Sequence, residues 1–270
     1  MKIVLLPDLH VTEKGGLVRG IDPIARLDSC VAAIQRLVAD ADLCVTMGDN
    51  VENGRETEYL ALLDCLKPLR MPIRFLAGNH DDRDTLLKVM PEVEQDQSGY
   101  IQSALETERE VLLFLDTAKA RENSGDYCDE KLTWLNQQLK QAGQKSVYLF
   151  MHHPPFRTGL WNDHSRVRDA DKFLAAVTAA RNVKHILLGH THRASSGSWN
   201  GLAWTTIEGT CYANDFELLP AKPNYLAGPA QIGILLLNGG ESVLHFQEVL
   251  GTYPLIEYSG RSIRDPELSA

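Results

Sequence analysis

Apolar residues come in short bursts along this chain, and most bursts run straight into a small polar cluster. Ile3 to Pro7 precedes Asp8, Leu43 to Met47 precedes Gly48-Asp49, and Ile73 to Ala77 precedes Gly78-Asn79-His80-Asp81. Val147 to Met151 precedes His152, and Ile186 to Leu188 precedes Gly189-His190. Bursts without polar alternation are the mark of strands buried on both faces, so they predict a mostly parallel sheet. Between them the period becomes helical. Asp22 offers an N-cap and Pro23 a first helical residue, followed by Ile24, Leu27, Val31, Ile34 and Val38 at helical spacing. Tyr59, Leu62, Leu63 and Leu66 mark a second helix over 56–67, stopped by Pro68. Two more helices, near 130–139 and 170–181, flank the His152 strand. The alternation of strand and helix specifies right-handed parallel crossovers.

The pattern changes at Tyr100 to Leu105 and Glu110 to Asp116, which read as an antiparallel hairpin on a second sheet. Leu202 to Ile207, Gln231 to Leu237 and Ser242 to Val249 are again strand-like, with Asn238-Gly239-Gly240 as a turn. The implied architecture is two stacked sheets enclosed by helices. Residues 212–229, rich in Pro, Ala and turn formers, predict an irregular surface excursion. The polar tail Ser259–Ala270 is expected to be loose.

A chain of 270 residues with 44% apolar composition can bury the core of one large α/β domain, taken here as residues 1–270. No segment has the length of a membrane span or the layout of a signal peptide, so a cytoplasmic protein without a membrane partner is expected. Cys30, Cys44, Cys65, Cys128 and Cys211 are scattered and odd in number, which argues against a disulfide framework and for reduced packing residues. A formal charge of −9 without a Lys/Arg cluster makes a nucleic-acid polymer a poor partner. A small anion is a different matter, because local charge decides its binding.

The polar clusters supply that local chemistry. In open α/β sheets ligands bind beyond the carboxyl ends of the strands, so all five clusters are expected on one rim. Asp8 and His10, and likewise His190 and His192, sit two apart, a spacing that puts both side chains on one face if the strand end is extended. Together with Asp49, Asn79 and His152 they make seven nitrogen and oxygen donors of the kind that suit Mn, Fe, Zn or Co. Seven exceed the needs of one tetrahedral site, whereas two divalent ions sharing Asp49 would use them all.

The ordered series Asp8-Leu9-His10, Gly48-Asp49-Asn50, Gly78-Asn79-His80-Asp81, His152-His153-Pro154-Pro155 and Gly189-His190-Thr191-His192 resembles the calcineurin-like metallophosphoesterase superfamily. The His152-His153-Pro154-Pro155 run and Gly20-Ile21-Asp22-Pro23 resemble its class III cyclic nucleotide phosphodiesterases and the related bacterial glycerophosphodiesterase. The similarity spans about residues 1–210. It implies a four-layer sandwich of two mixed β-sheets flanked by helices. It also implies one ion on Asp8, His10, His192 and Asp49, and a second on Asp49, Asn79, His152 and His190. Hydrolysis of a small phosphodiester, a cyclic nucleotide or a glycerophosphodiester, by a hydroxide activated between two ions follows from the same resemblance. His80 is then expected to touch the phosphate oxygens or to protonate the departing alkoxide, with Asp81 orienting its ring. Residues 212–270 are expected to cap the site or to form a contact in a homo-oligomer.

For several residues the sequence allows more than one role. His153 fits either a functional or a packing role. His164, His185 and His245 read as surface or core residues, and Asp116 as a strand-end turn residue. Arg19, Arg157 and Arg193 lie beside motif loops without one standing out. The competing functions are a phosphomonoesterase or protein phosphatase on the same donors, and a non-catalytic metal-binding interaction module.

Overall fold

The computed structural model describes residues 1–251, so the Ser259–Ala270 tail lies outside the described residues. In chain order the elements are β1 (Lys2–Leu6), α1 (Pro23–Leu37), β2 (Leu43–Thr46), α2 (Glu56–Leu66), β3 (Ile73–Phe75) and α3 (Arg83–Val89). Then come β4 (Ser103–Glu106), β5 (Glu110–Leu115), α4 (Asp129–Ala142), β6 (Ser146–Met151), a 3₁₀ turn (Trp161–Ser165), α5 (Asp171–Ala179) and β7 (Val183–Leu188). The last group is β8 (Ser195–Trp199), β9 (Leu202–Thr206), β10 (Ala213–Asn214), β11 (Tyr225–Leu226), β12 (Gln231–Asn238) and β13 (Glu241–Glu248).

The apolar bursts do form strands, but they divide between two sheets. One sheet has the order β13-β12-β1-β2-β3 and the other β4-β5-β6-β7-β9-β8. Both are mixed: in the first, β1–β2–β3 run parallel with the antiparallel β12–β13 hairpin on one side only, and in the second β5–β6–β7–β9 run parallel between antiparallel β4 and β8. The β4–β5 hairpin and the Gly239-Gly240 turn between β12 and β13 sit where the sequence predicts them. The short β10–β11 ribbon interrupts the 212–229 excursion.

Period-two alternation decides the layering. Ile3, Leu5, Val45, Phe114, Phe150 and Leu187 point into a central core between the sheets. Their neighbours Val4, Leu6 and Cys44 turn the other way onto Leu27, Ile34, Tyr59 and Leu62 of α1 and α2. Val111, Leu113, Val147 and Leu149 likewise face Leu135, Leu139, Phe173 and Val177 of α4 and α5. Three cores separating helices, sheet, sheet and helices make the α/β four-layer sandwich of two mixed sheets. α1 begins as its sequence requires, with Asp22 accepting from the Ala25 N–H at 3.1 Å and Pro23 in the first turn. The five cysteines are free, four of them buried as packing residues. Among the described residues no helix is long and apolar enough to cross a membrane.

Candidate metal centre

The carboxyl ends of β1, β2 and β3 from one sheet meet those of β6 and β7 from the other. The loops leaving them carry the predicted donors. His10 Nε2 lies 3.2 Å from His192 Nε2 and 3.6 Å from Asp49 Oδ2, and His192 Nε2 lies 3.6 Å from Asp8 Oδ1. On the other side His152 Nε2 lies 3.4 Å from Asp49 Oδ1, 3.2 Å from His190 Nδ1 and 3.4 Å from Asn79 Oδ1. All seven donors are thus linked around Asp49 by contacts under 4 Å. Asp8, His10, Asp49 and His192 present one group of converging ligand atoms, and His152, His153 and His190 another.

The backbone reaches this arrangement differently from the sequence expectation. The paired donors do not alternate on extended strand ends, since β1 stops at Leu6 and β7 at Leu188. Asp8, His10, Asp49, His190 and His192 all have φ between 47° and 67°. Left-handed turns, not strand alternation, therefore bring the paired donors Asp8 and His10, and His190 and His192, to the cavity. Non-glycine residues held in such turns cost about 1–3 kcal/mol each, and such strain gathers at functional sites. Hydrogen bonds fix the turns: His10 N–H donates to Asp49 O at 2.9 Å, and His190 N–H to Asp8 Oδ1 at 2.9 Å. The motif glycines follow from crowding. A Cβ on Gly48 would lie 2.5 Å from His152 Nδ1, and one on Gly78 would collide with the Asp49 carboxylate.

The outward nitrogens show what the inward ones must be. His10 Nδ1 meets Glu52 Oε2 at 2.7 Å, His152 Nδ1 meets Met47 O at 2.8 Å, and His192 Nδ1 meets Tyr212 O at 3.0 Å. Carbonyls and carboxylates only accept, so each Nδ1 carries the proton and each Nε2 turns a lone pair inward when its ring is neutral. Ser165 Oγ donates to Asn162 O, so it accepts from His190 Nε2 at 2.8 Å and leaves Nδ1 of that ring as the inward lone pair. Lone pairs facing each other at 3.2 Å repel unless a cation stands between them. Asp8 Oδ2 is buried without any partner, a costly position for a carboxylate oxygen unless it is a ligand. The donor set therefore fits divalent metal ions.

Charge is shared unequally among the cavity's side chains. Burial holds His10 and His190 below the ordinary imidazole pKa and brings His192 down to about 4. Burial also opposes charge on His152, but Asp49 and Asp8 outweigh it and raise its pKa to about 9. Asp49 is buried too, yet His152 and His80 hold it well below the usual carboxylate range. Burial raises Asp8 despite the opposing pull of His192 and His152.

His80 lines the cavity, and its N–H donates to Asp49 Oδ1 at 2.9 Å. Its Nδ1 donates to the Glu52 carbonyl at 2.8 Å, which leaves Nε2 for the cavity. Burial is outweighed by Asp49 and that carbonyl, so the His80 pKa lies above its ordinary value. Asp81 does not orient His80. Its carboxylate instead accepts from Gly78 N, Asn50 N, Asn50 Nδ2 and Tyr59 Oη, tying the second and third motif loops together. His153 is buried between Thr117 Oγ1 at 2.9 Å and Asn79 Oδ1 at 3.2 Å, so it touches the donor set directly. Asp116 is a structural anion, gripped in a fork by Arg83 at 2.8 and 3.0 Å. His185 bonds Thr205, while His164 borders the cavity.

Glu52, Ser165, Asn162 and Tyr212 were not singled out from sequence. Glu52 lies three residues after Asp49 and carried a weak signal by position. Ser165 and Tyr212 lie far from any motif and are recruited by the 3₁₀ turn and the segment after β9. The cavity, about 170 Å³, is also lined by Arg19, Asn123, Trp161, Asn214 and Tyr225.

Fold and site together define a four-layer α/β protein with a histidine-rich cation cavity where its two sheets meet. The chain belongs to the calcineurin-like phosphoesterase family, whose sequence profile matches residues 1–194. It is 34% identical over 223 residues to a Rhodopseudomonas palustris protein named probable cyclic nucleotide phosphodiesterase, covering 81% of each chain. It is 26% identical to the glycerophosphodiester phosphodiesterase GpdQ of Enterobacter lignolyticus across the whole chain and 96% of that protein. A dimetal phosphatase from Danio rerio shares the fold, with a TM-score of 0.66 and 14% identity over 90% of this chain and 98% of that one.

Proposed function

We infer that the protein is a metal-dependent hydrolase of a small phosphodiester, a cyclic nucleotide or a glycerophosphodiester. The observation that carries this reading is the inward set of imidazole nitrogens around Asp49 and the unpartnered Asp8 carboxylate oxygen. Asp8, His10, His192 and Asp49 would hold one divalent cation, and Asp49, Asn79, His152 and His190 a second. Mn, Fe, Zn and Co all suit these donors. Such a pair supplies Lewis acidity toward phosphoryl oxygens and lowers the pKa of water.

The chain's own residues do the rest. Glu52, Met47, Ser165 and Tyr212 lock the four rings, so the donors need no reorganisation when a substrate arrives. His80, fixed by Glu52 through Nδ1, keeps Nε2 for a substrate oxygen and can protonate a departing alkoxide. The relatives named as diesterases support the substrate class, and the small cavity favours a compact diester over a polymer. Unpaired buried cysteines support a reducing, cytoplasmic setting. Tyr212, Asn214 and Tyr225 on the cavity wall support a capping role for the chain after residue 212. Phe216, Leu218 and Leu219 on the same segment are exposed and apolar, which supports its use as a dimer contact. Sedimentation of the parent and of Phe216→Ser tests that contact: a parent that sediments as a monomer removes it.

Assay of Mn²⁺-loaded protein on bis-p-nitrophenyl phosphate and on p-nitrophenyl phosphate tests the activity. The diester is expected to be the better substrate by kcat/KM. A strong preference for the monoester would instead make the protein a phosphomonoesterase, and no turnover of either would favour a binding module.

A further inference from the structure

Arg19 sits at the tip of a two-residue turn closed by paired hydrogen bonds between Val18 and Ile21, both 2.9 Å. Arg19 and Gly20 have φ of 51° and 81°, a turn that Asn-Gly or Gly-Gly would make without strain. An arginine in the first position is therefore disfavoured by the backbone, and its side chain must account for its presence. Arg19 lines the same cavity as Asn79, His80 and His192. It is the only arginine or lysine lining the cavity among the described residues, and no carboxylate pairs with it within 4.0 Å. Two aromatic rings hold it instead. The guanidinium carbon lies 3.6 Å from the Tyr225 ring centroid and 4.7 Å from that of Tyr212. Tyr212 in turn stacks on His192 with centroids 4.0 Å apart and planes at 13°. Arg157 and Arg193, the other arginines near motif loops, do not line the cavity, and Arg193 is engaged by Asn214 O and the Phe216 ring.

We propose that Arg19 is a substrate-binding residue that donates to a phosphoryl oxygen of the bound ester, and that Tyr225 and Tyr212 are positioning residues for it. This rests on the phosphodiesterase reading above. A guanidinium has five donors in a planar fork that matches a phosphate edge, and contact through the ring faces of Tyr225 and Tyr212 leaves its edge for an anion. Stacking between rings narrows the conformations Arg19 must give up when it meets the anion. The segment after residue 212 thereby contributes to anion recognition, through Tyr225 of the β10–β11 ribbon.

The test compares the parent with Arg19→Ala, Arg19→Lys, Tyr225→Leu, the Arg19→Ala/Tyr225→Leu double variant and Arg157→Ala. Three things are measured on Mn²⁺-loaded protein: kinetics on bis-p-nitrophenyl phosphate, calorimetric affinity for inorganic phosphate, and metal content per chain. Loss of one charge-assisted contact should raise KM and the phosphate Kd of Arg19→Ala roughly tenfold, with kcat within about threefold and metal content unchanged. Arg19→Lys and added guanidinium chloride should each recover part of the loss. Tyr225→Leu should shift KM in the same direction, and the double variant should be no worse than Arg19→Ala, because both act through one contact. Arg157→Ala should match the parent. Phosphate affinity and KM of Arg19→Ala within about twofold of the parent would overturn the proposal, as would a fall in kcat and metal content at constant KM. A parent inactive on the diester would sink the phosphodiesterase reading, yet phosphate affinity would still decide the role of Arg19.

Discussion

Each histidine proposed as a metal ligand in this cavity has one nitrogen committed to the protein scaffold, which leaves the other to face the cavity. His152 shows the consequence most clearly. Without a cation its pKa is about 9, against 6.5 as the ordinary value, so the folded chain binds a proton there that the unfolded chain releases. That proton stabilises the metal-free fold fully below pH 6.5, and its contribution fades as pH rises through about 9. The melting temperature of chelated protein should therefore fall over that window. Metal binding at pH 7 should also expel the His152 proton, whereas His10, His190 and His192 arrive neutral. Calorimetry in buffers of different ionisation enthalpy reads the release, and binding with none would contradict the assignment. His80→Ala should lower kcat by roughly 10²- to 10⁴-fold while metal content stays intact. The donors were legible in the sequence because each lies in a short polar cluster that follows an apolar run. Glu52, Ser165 and Tyr212 were not, because a hydrogen bond to a ring nitrogen imposes no spacing on the chain. Asp81 was misassigned for a related reason: adjacency to His80 says nothing about which backbone amides its carboxylate will find.

At the level of elements, periodicity located the long helices and the central strands, and it failed where elements are short or polar. α3 has only seven residues, four of them charged or hydroxylated, and is organised by Asp82 accepting from Thr85 N–H at 2.8 Å. β8 reads Ser-Ser-Gly-Ser-Trp and exists because β9 offers it an edge to pair with. The extended geometry expected for Asp8 and His10 was wrong because tertiary hydrogen bonds to the neighbouring loops hold them in left-handed turns. Two substitutions test how the elements are fixed. Asp22→Ala removes the N-cap of α1 and should cost about 1 kcal/mol in chemical denaturation, with activity unchanged. Gly48→Ala forces a Cβ against His152 at a φ of 88°, so it should cost about 2 kcal/mol or more and lower metal content as well. Normal metal content in that variant would mean the loop can yield, contrary to the crowding described.

Across the whole molecule, the sequence indicated two stacked sheets but not which strands belong to each. The five donor-bearing strands look alike as sequence, and only the pairing pattern separates β1–β2–β3 from β6–β7. That division matters for function, because donors on two separately braced sheets are held in place by both at once. Asp49, on β2's loop, is the residue on which the two halves converge, 3.6 Å from His10 and 3.4 Å from His152. The central claim is that this junction holds two cations with Asp49 between them. Anomalous diffraction from Mn²⁺-loaded crystals measures it directly. Two peaks are expected, one among Asp8, His10 and His192 and one among Asn79, His152 and His190, each bordering Asp49. An absence of anomalous density at this junction, or a single peak at saturating Mn²⁺, would contradict the account.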